Sequence, residues 1–472
     1  MTKSLLPNKT DSPAEWYTRV IQLAELADYG PTKGTMIIRP YGYSIWEHAQ
    51  KAFDDMIKDY GVENAYFPLF IPMSYFEKEA DHIEGFAPEL AVVTHGGGQE
   101  LEEALVVRPT SETIINASFT KWVQSHRDLP ILLNQWCNVV RWEKRTLPFL
   151  RTSEFLWQEG HTVHATHEDA IAMQKYAMES YAKLYREFYA LEGYIGRKST
   201  MERFAGADLT LTFEAMMPSG KALQSCTSHD LGHNFAKAFD TKFQDENGEQ
   251  QYVWQTSWGL STRSIGGLIM AHGDDNGLVL PPRLAPVQVI VVPVNTKEAT
   301  VTYVMQLHDQ LKSANVRVKA DMRDDERFGY KLNKWEVKGV PLILKIGDGE
   351  VEAQKVTIKR RDNSEEVSID VADMETTVKQ LLGSVQTDLL EKSRRIRDES
   401  TREASTYEEM KDILAEHKGF VKVFWNDSPE IEAKIKEETK AVSRCCIEEN
   451  VQGTDFYTGE PASEVWLFAQ SY

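Results

Sequence analysis

Residues 139–164 read VVRWEKRTLPFLRTSEFLWQEGHTVH. Two strand-like runs flank a short basic loop, EKRTLPFL, which is the pattern of an antiparallel hairpin. An extended chain shows alternate residues to one face, so Arg151, Phe155, Trp157, Glu159 and His161 fall together. That face is too charged for a dry core and too aromatic for a solvated surface. Internal salt bridges, common in large enzymes, would account for it; so would a cleft for a small charged ligand. Arg141 and Arg151 flank the loop, where two guanidinium forks can grip phosphate or carboxylate oxygens.

Upstream of the hairpin, GYSIWEHAQKAFDDMIKDY (42–60) sets Trp46, Ala49, Phe53, Met56 and Ile57 at helical spacing, as core or dimer interface, and ENAYFPLFIP then predicts a strand. Downstream, Thr166 caps a helix predicted over 167–192, with Glu168 and Asp169 in its first turn and Gly193 after it. Further strands follow over 207–260, joined by short loops. An antiparallel sheet flanked by helices is the expected architecture, an α+β unit over 1–284. The prolines of LVLPPRLAPVQVIVVPV mark a boundary, and strands and helices then alternate (helix 298–314, VRVKA, helix 328–338, VPLILKI), predicting an α/β unit over 285–395. A charged, helix-prone stretch beyond about 395 leads into a small α+β unit over 396–472.

A chain of 472 residues is long enough for two or three such units. Its net charge of −19 argues against binding nucleic acid over its whole surface, and no DNA partner is expected. Residues 286–361 depart from this balance, with 14 Lys and Arg against 10 Asp and Glu, which permits a local nucleic-acid contact there. No apolar run approaches the ~20 residues that span a bilayer, and four scattered cysteines make no disulfide framework. A cytoplasmic protein without membrane contact is therefore expected. HDLGH (229–233) has the spacing of a zinc helix, but Asp230 stands where a metalloprotease has glutamate and Gly232 weakens a helix. Cys137 reads as a small apolar strand residue, and Gly96–Gly98 as a turn.

Two further segments carry chemistry. In RPTSETI, Thr110 and Glu112 pair a hydroxyl with a carboxylate, suited to an ammonium group; in SWGLSTRSIGG, a strand meets a helix through Gly259 and Ser261 with Arg263 at the helix start, a place that favours anions. With the hairpin, these resemble the three ordered motifs of class II aminoacyl-tRNA synthetases. The finer text, RPTSE, VVRWE, FLRTSEFLWQEGHT, ERFAGAD, TSHDLGHNF and SWGLSTRSIG, resembles prolyl-tRNA synthetases of the archaeal and eukaryote-like type. A non-catalytic paralogue would have lost the motif arginines or the magnesium ligand, and a small-acid ligase of the same fold would not need the 285–395 unit.

The resemblance implies a six-stranded antiparallel catalytic sheet, an anticodon-binding domain, a homodimer, and activation of L-proline by ATP with Mg2+ before transfer to tRNA(Pro). Arg141 and Arg263 are then the catalytic residues. Thr110, Glu112, Arg141, Trp157, Glu159, His161, Phe204 and Ser261 are implied to bind proline. Arg141, Glu143, Arg151, Thr152, Gln224, Thr227, Gly259 and Arg263 are implied to bind ATP, with Gln224 near the magnesium ion. Glu336, Lys345, Arg360 and Arg361 are the anticodon candidates. Many relatives hold zinc in the last domain with four cysteines; here FWNDSPEIEAKIKEET and GTDFYTGEPASEVWLF contain none, so no zinc is expected. Phe424, Trp425, Phe456, Trp466 and Phe468 should hold that domain together instead, with Tyr472 docked on the catalytic domain.

Overall fold

The computed structural model describes residues 6–78 and 90–472. Pro40–Asp59 is a helix, α1, begun by proline, whose fixed φ and missing N–H suit the first helical position. Trp46 and Phe53 lie on its buried face, and Phe53 stacks on Tyr181 at 4.6 Å, so this stripe is core. The strand expected next is broken in two: Glu63–Asn64 pairs, in parallel, with Leu133 and Asn134, and Phe70–Pro72 pairs antiparallel with Leu105–Val107. Between them the Phe67 amide donates to Gln135 Oε1 and Arg108 Nη1 donates to the Phe67 carbonyl, so side chains satisfy backbone groups that have left the ladder.

Six strands form the central antiparallel sheet: β1 (Ile131–Val140), β2 (Glu154–His164), β3 (Gly193–Arg197), β4 (Leu209–Met216), β5 (Ala222–Gly232) and β6 (Trp254–Ser261). Their spatial order is β3-β4-β5-β6-β2-β1. The opening hairpin is thus β1–β2, and the strand-to-helix turn joins β6 to a helix α3 (Arg263–His272), with α2 (His167–Leu184) covering the sheet between them in sequence. The Thr166 hydroxyl accepts the Asp169 amide and caps α2, but the helix stops short of 192. A π turn over Tyr185–Tyr189 ends it at Ala190, whose φ is 52°. Trp258 lies across Gly160, where a Cβ would sit 2.1 Å from the indole; only glycine lets the two strands pack this way.

After Ala285 a five-stranded mixed sheet is built from Val289–Pro293, Val318–Ala320, Leu342–Ile346, Lys355–Arg360 and Glu366–Asp370, with helices Glu298–Ser313 and Phe328–Val337 between its strands. The helix Met374–Glu399 then runs past the expected division at 395, and the chain turns only at Ser400. The charged stretch after it is not all helical, because Thr401–Glu403 pairs in parallel with Phe420–Lys422.

The last four strands do not form a sheet of their own. Val442–Thr454 adjoins β3 through the pair Cys446 and Arg197, so the four carboxyl-terminal strands at one edge and Glu63–Asn64 at the other prolong the central sheet to eleven strands. Trp425, Phe456, Trp466 and Phe468 fill the core beneath them, while Phe424 is only half-buried. At the chain end Tyr472 donates or accepts a hydrogen bond with Ser219 at 2.8 Å, and its amide bonds the Ala222 carbonyl.

Candidate active site

A cavity of about 250 Å³ opens on the face of β2, β5 and β6. It is lined by Thr110, Glu112, Arg141, Trp157, Glu159, His161, Phe204, Gln224, Thr227, Gly259, Ser261 and Arg263, which brings together residues from every motif of the sequence. A second cavity, of about 150 Å³, holds Glu143, Arg151 and Thr152. Arg141, Phe155, Ser261 and Arg263 line both, so the two compartments meet at the two arginines.

The alternation of β2 does the positioning. Phe155, Trp157, Glu159 and His161 reach the cavity, while Gln158 points to the other side, where the Tyr181 hydroxyl donates to its amide oxygen. Arg151 lies before the strand proper and faces the smaller cavity, 3.9 Å from the Glu143 carboxylate. Glu159 is buried, and its oxygens accept from the Ser111 amide at 3.1 Å, from the Ser111 hydroxyl and from Gln135 Nε2 at 2.9 Å, with His161 Nε2 at 3.0 Å. Burial opposes its charge, but His161 and these donors outweigh burial and hold the carboxyl below its usual range. The same contact, with the charges of Glu112 and Glu159, overcomes burial at His161 and raises its pKa. Thr110 donates to Glu112 Oε2 and fixes the second carboxylate at the cavity wall.

The wall formed by β4 and β5 carries a neutral histidine. His229 sits between the Thr210 and Thr227 hydroxyls at 2.9 and 3.0 Å and lies 4.5 Å from the Phe204 ring. Burial first, then the cations His161 and Arg141, hold its pKa at about 3, so it is an uncharged imidazole at neutral pH. His229 belongs to a strand and His233 precedes a short helix, so HDLGH forms no zinc helix. A Cβ on Gly259 would meet Trp157 no closer than 3.7 Å; its bareness widens the cavity rather than relieving a clash.

The arginines concentrate positive charge. Arg141 Nε donates to the Pro109 carbonyl at 3.0 Å, with its guanidinium 5.7 and 5.4 Å from the Phe155 and Trp157 rings. Arg263 Nε donates to the Leu150 carbonyl at 3.1 Å, and burial together with Arg141 and Arg151 pushes its pKa down from the ordinary guanidinium value. Three guanidiniums around one space, Arg141 and Arg263 held by carbonyls and Arg151 beside the Glu143 carboxylate, make a site for a polyanion.

The sequence reading missed part of this wall. His229, Glu202 and Ser257 also line the cavity. Cys137 lies behind it, its thiol 3.4 Å from Glu159 and 3.2 Å from the Trp157 nitrogen, and burial pushes its pKa up. The signals available for His229 were its place in TSHDLGHNF and its alternation with Thr227 on one strand.

The anticodon candidates fall into two groups. Glu336 and Lys345 are partly exposed and paired with Lys359 and Glu366 at 2.5 Å. Arg360 and Arg361 are buried, which corrects the expectation that they face a nucleic acid. Arg360 grips Asp362 and Asp388, and Arg361 forks onto Asp274 at 2.8 and 2.6 Å while donating to the Glu336 carbonyl. Among the described residues one group can gather three metal-ligating atoms, Cys446, Glu449 and Glu464. The Arg197 guanidinium already bonds both carboxylates, at 2.9 and 2.6 Å, and burial raises the Cys446 pKa to about 12, so a cation and a protonated thiol occupy that cluster.

Residues 92–272 match the family model of the tRNA synthetase class II core domain (G, H, P, S and T), 288–381 that of the anticodon binding domain, and 407–472 that of the prolyl-tRNA synthetase carboxyl terminus. The chain is 51% identical to the chloroplastic/mitochondrial proline--tRNA ligase of Arabidopsis thaliana, over 100% of this chain and 88% of that one. It is 49% identical to the proline--tRNA ligase of Chloroherpeton thalassium over 99% of both chains. A crystal structure of prolyl-tRNA synthetase from Cryptosporidium parvum, complexed with halofuginone and AMPPNP, superposes with a TM-score of 0.95 at 41% identity, over 99% of each chain. Three family models in the order of the three units, with full-length identity to proline--tRNA ligases, place the chain in the prolyl-tRNA synthetase family of class II aminoacyl-tRNA synthetases.

Proposed function

We propose that the paired cavities bind L-proline and ATP side by side, that prolyl-adenylate forms where they meet, and that the prolyl group then passes to tRNA(Pro). The observation that carries this reading is the position of Arg141 and Arg263 on the shared wall. In the larger cavity Thr110, Glu112, Glu159 and His161 surround the ammonium end of proline, while Trp157 and Phe204 enclose its ring, with Ser261 at the shared wall. Glu112, oriented by Thr110, accepts from the secondary ammonium. Glu143, Arg151, Thr152 and Arg263 hold the nucleotide, with Gln224, Thr227 and Gly259 on the phosphate side.

A proline carboxylate oxygen bonds to the α-phosphorus as the bond to pyrophosphate breaks, and negative charge gathers on the α-phosphoryl oxygens. Arg141 stands between the two anions and relieves their repulsion; Arg263, at the start of α3, adds its charge to the helix dipole. Both are preset by backbone carbonyls, so little reorganisation accompanies the step. The Gln224 amide oxygen suits Mg2+, which takes few protein ligands and completes its shell with phosphates and water; bound there, it would neutralise phosphate charge.

The division 1–284, 285–395 and 396–472 serves as a functional one, with the second unit reading the anticodon through Glu336 and Lys345. Arg360 and Arg361 are left out of that role. The last unit works without zinc, its cluster filled by Arg197. A homodimer is supported by Tyr29 and Ile37, which stand 60% and 54% exposed on one hairpin. Cytoplasmic action extends the same reading; among the described residues no helix is long and apolar enough to cross a membrane. The deciding experiment is proline-dependent ATP/pyrophosphate exchange followed by charging of tRNA(Pro). Exchange that proline does not stimulate overturns the proposal.

A further inference from the structure

The segment between β3 and β4, residues 198–208, supplies Glu202 and Phe204 to the larger cavity. Its inner end is tied to the central sheet: the Phe204 amide donates to Thr210 Oγ1 at 3.1 Å, and the Lys198 amide to the Thr210 carbonyl at 2.8 Å. Its outer end is tied to the carboxyl-terminal unit, more than 220 residues away in sequence. Asp427 Oδ2 accepts both the amide and the hydroxyl of Thr200, at 2.9 and 2.8 Å. Glu432, fully buried, accepts the Ser199 hydroxyl at 2.8 Å on one oxygen and the Ser443 amide at 2.9 Å on the other. Beneath them Lys198 and Arg444 both close on the buried Glu214, at 3.0 and 2.8 Å.

These contacts come in a row. Lys198, Ser199 and Thr200 are each anchored directly or through one residue to the carboxyl-terminal unit, and the chain then turns at once into Glu202 and Phe204. Glu432, a buried carboxylate accepting several hydrogen bonds, sets geometry tightly because each broken bond leaves a desolvated group, and the half-buried Asp427 adds two charge-assisted bonds to Thr200. A domain concerned only with its own stability would have no need to place two acceptors against a cavity-lining segment.

We infer that Asp427 and Glu432 are positioning residues for the amino-acid pocket: they hold residues 198–200 and through them the Glu202–Phe204 wall that proline meets. The inference rests on the reading of that pocket as the proline site. Loosening the anchor raises the KM for proline and leaves the KM for ATP, bound on the other side of Arg141, unchanged.

The test uses the full chain with Asp427→Ala, Asp427→Asn, Thr200→Val and the double variant D427A/T200V, with Tyr407→Phe as a control that removes a carboxyl-terminal hydrogen bond, to Glu438, in which no residue of the segment takes part. Two charge-assisted bonds lost at one anchor correspond to a rise of roughly three- to tenfold in proline KM for D427A. D427N, which keeps an acceptor, should recover most of it, and the double variant should fall short of the product of the singles. Amide hydrogen exchange over 198–208 should quicken in D427A without any ligand, so the anchor is tested even if the pocket proves to bind something else. An unchanged exchange rate overturns the anchor. Unchanged proline KM, an equal rise for ATP, or the same rise in Y407F overturns the positioning role. If D427A does not fold, T200V is judged by the same criteria.

Discussion

Replacing Arg141 with lysine separates its charge from its geometry. The guanidinium is set by a bond from Nε to the Pro109 carbonyl at 3.0 Å and by the Phe155 and Trp157 rings at 5.7 and 5.4 Å. An ammonium group keeps the unit charge but has no planar fork and stacks poorly. Loss of one preorganised donor from a transition state costs about 2.7–4 kcal/mol, a factor of 10²–10³ in kcat. Arg141→Lys should therefore lower kcat for proline-dependent pyrophosphate exchange by about two to three orders of magnitude, and Arg141→Ala by at least another order. The hydrogen bond to Pro109 and the two ring contacts contribute together ~1–2 kcal/mol to the folded state, so the melting temperature should fall by a few degrees. Exchange measured at saturating proline and ATP, with thermal melts on the same samples, reads both effects. A lysine variant within tenfold of the wild-type rate would refute a fork placed between proline and the α-phosphate.

Several further outcomes follow from named residues. About a hundred residues separate Glu154 from Gly259, too few for the large editing insertion of some bacterial relatives, and a pocket selecting by shape gains only about 10–200-fold per methylene; alanine or cysteine should be activated measurably, and purified protein should not deacylate Ala-tRNA above the uncatalysed rate. Glu336→Ala should weaken tRNA charging and spare pyrophosphate exchange; unchanged charging kinetics would remove Glu336 from the anticodon site. Chelators should leave activity and melting unaltered, and elemental analysis should find no stoichiometric zinc. His164 and His272 are held at about 4 and His229 at about 3, mainly by burial, so each stays neutral in the fold but takes a proton on unfolding below ~6.5. Stability should fall as pH drops from 6.5 toward 4, by about 1.4 kcal/mol per histidine at pH 5.5, and His272→Gln should flatten that slope in melts at pH 7.5 and 5.5.

The hairpin was legible because strand alternation is a local rule. Trp157, Glu159 and His161 share a face in the sequence and line one cavity in the structure. The turn from β6 into α3 was legible for the same reason, glycine and serine preceding an apolar helix. Phe204, Gln224 and Thr227 carry no such local sign; only the resemblance pointed to them, because what brings them to the cavity is the order of strands across the sheet. Arg360 and Arg361 were misread because charge alone signals surface, whereas their partners Asp388 and Asp274 lie 28 and 87 residues away.

The same limit explains the last unit, where the sequence shows missing cysteines and only the structure shows how the strands are fastened to the central sheet. Missing cysteines say that thiolates do not hold the strands. They do not say that Arg197, at the end of β3, crosses into the cluster of Cys446, Glu449 and Glu464. A guanidinium bonded to two carboxylates there does two things: it neutralises them, and it fastens the carboxyl-terminal strands to the edge of the central sheet, where Cys446 pairs with that same Arg197. This arginine is the residue just before Lys198, Ser199 and Thr200, so it ties the last unit to the start of the pocket-lining segment. Fastening of the last unit and attachment of the pocket-lining segment are thus features of one junction, and a change at Arg197 should disturb both the docking of the last unit and the wall of the amino-acid pocket.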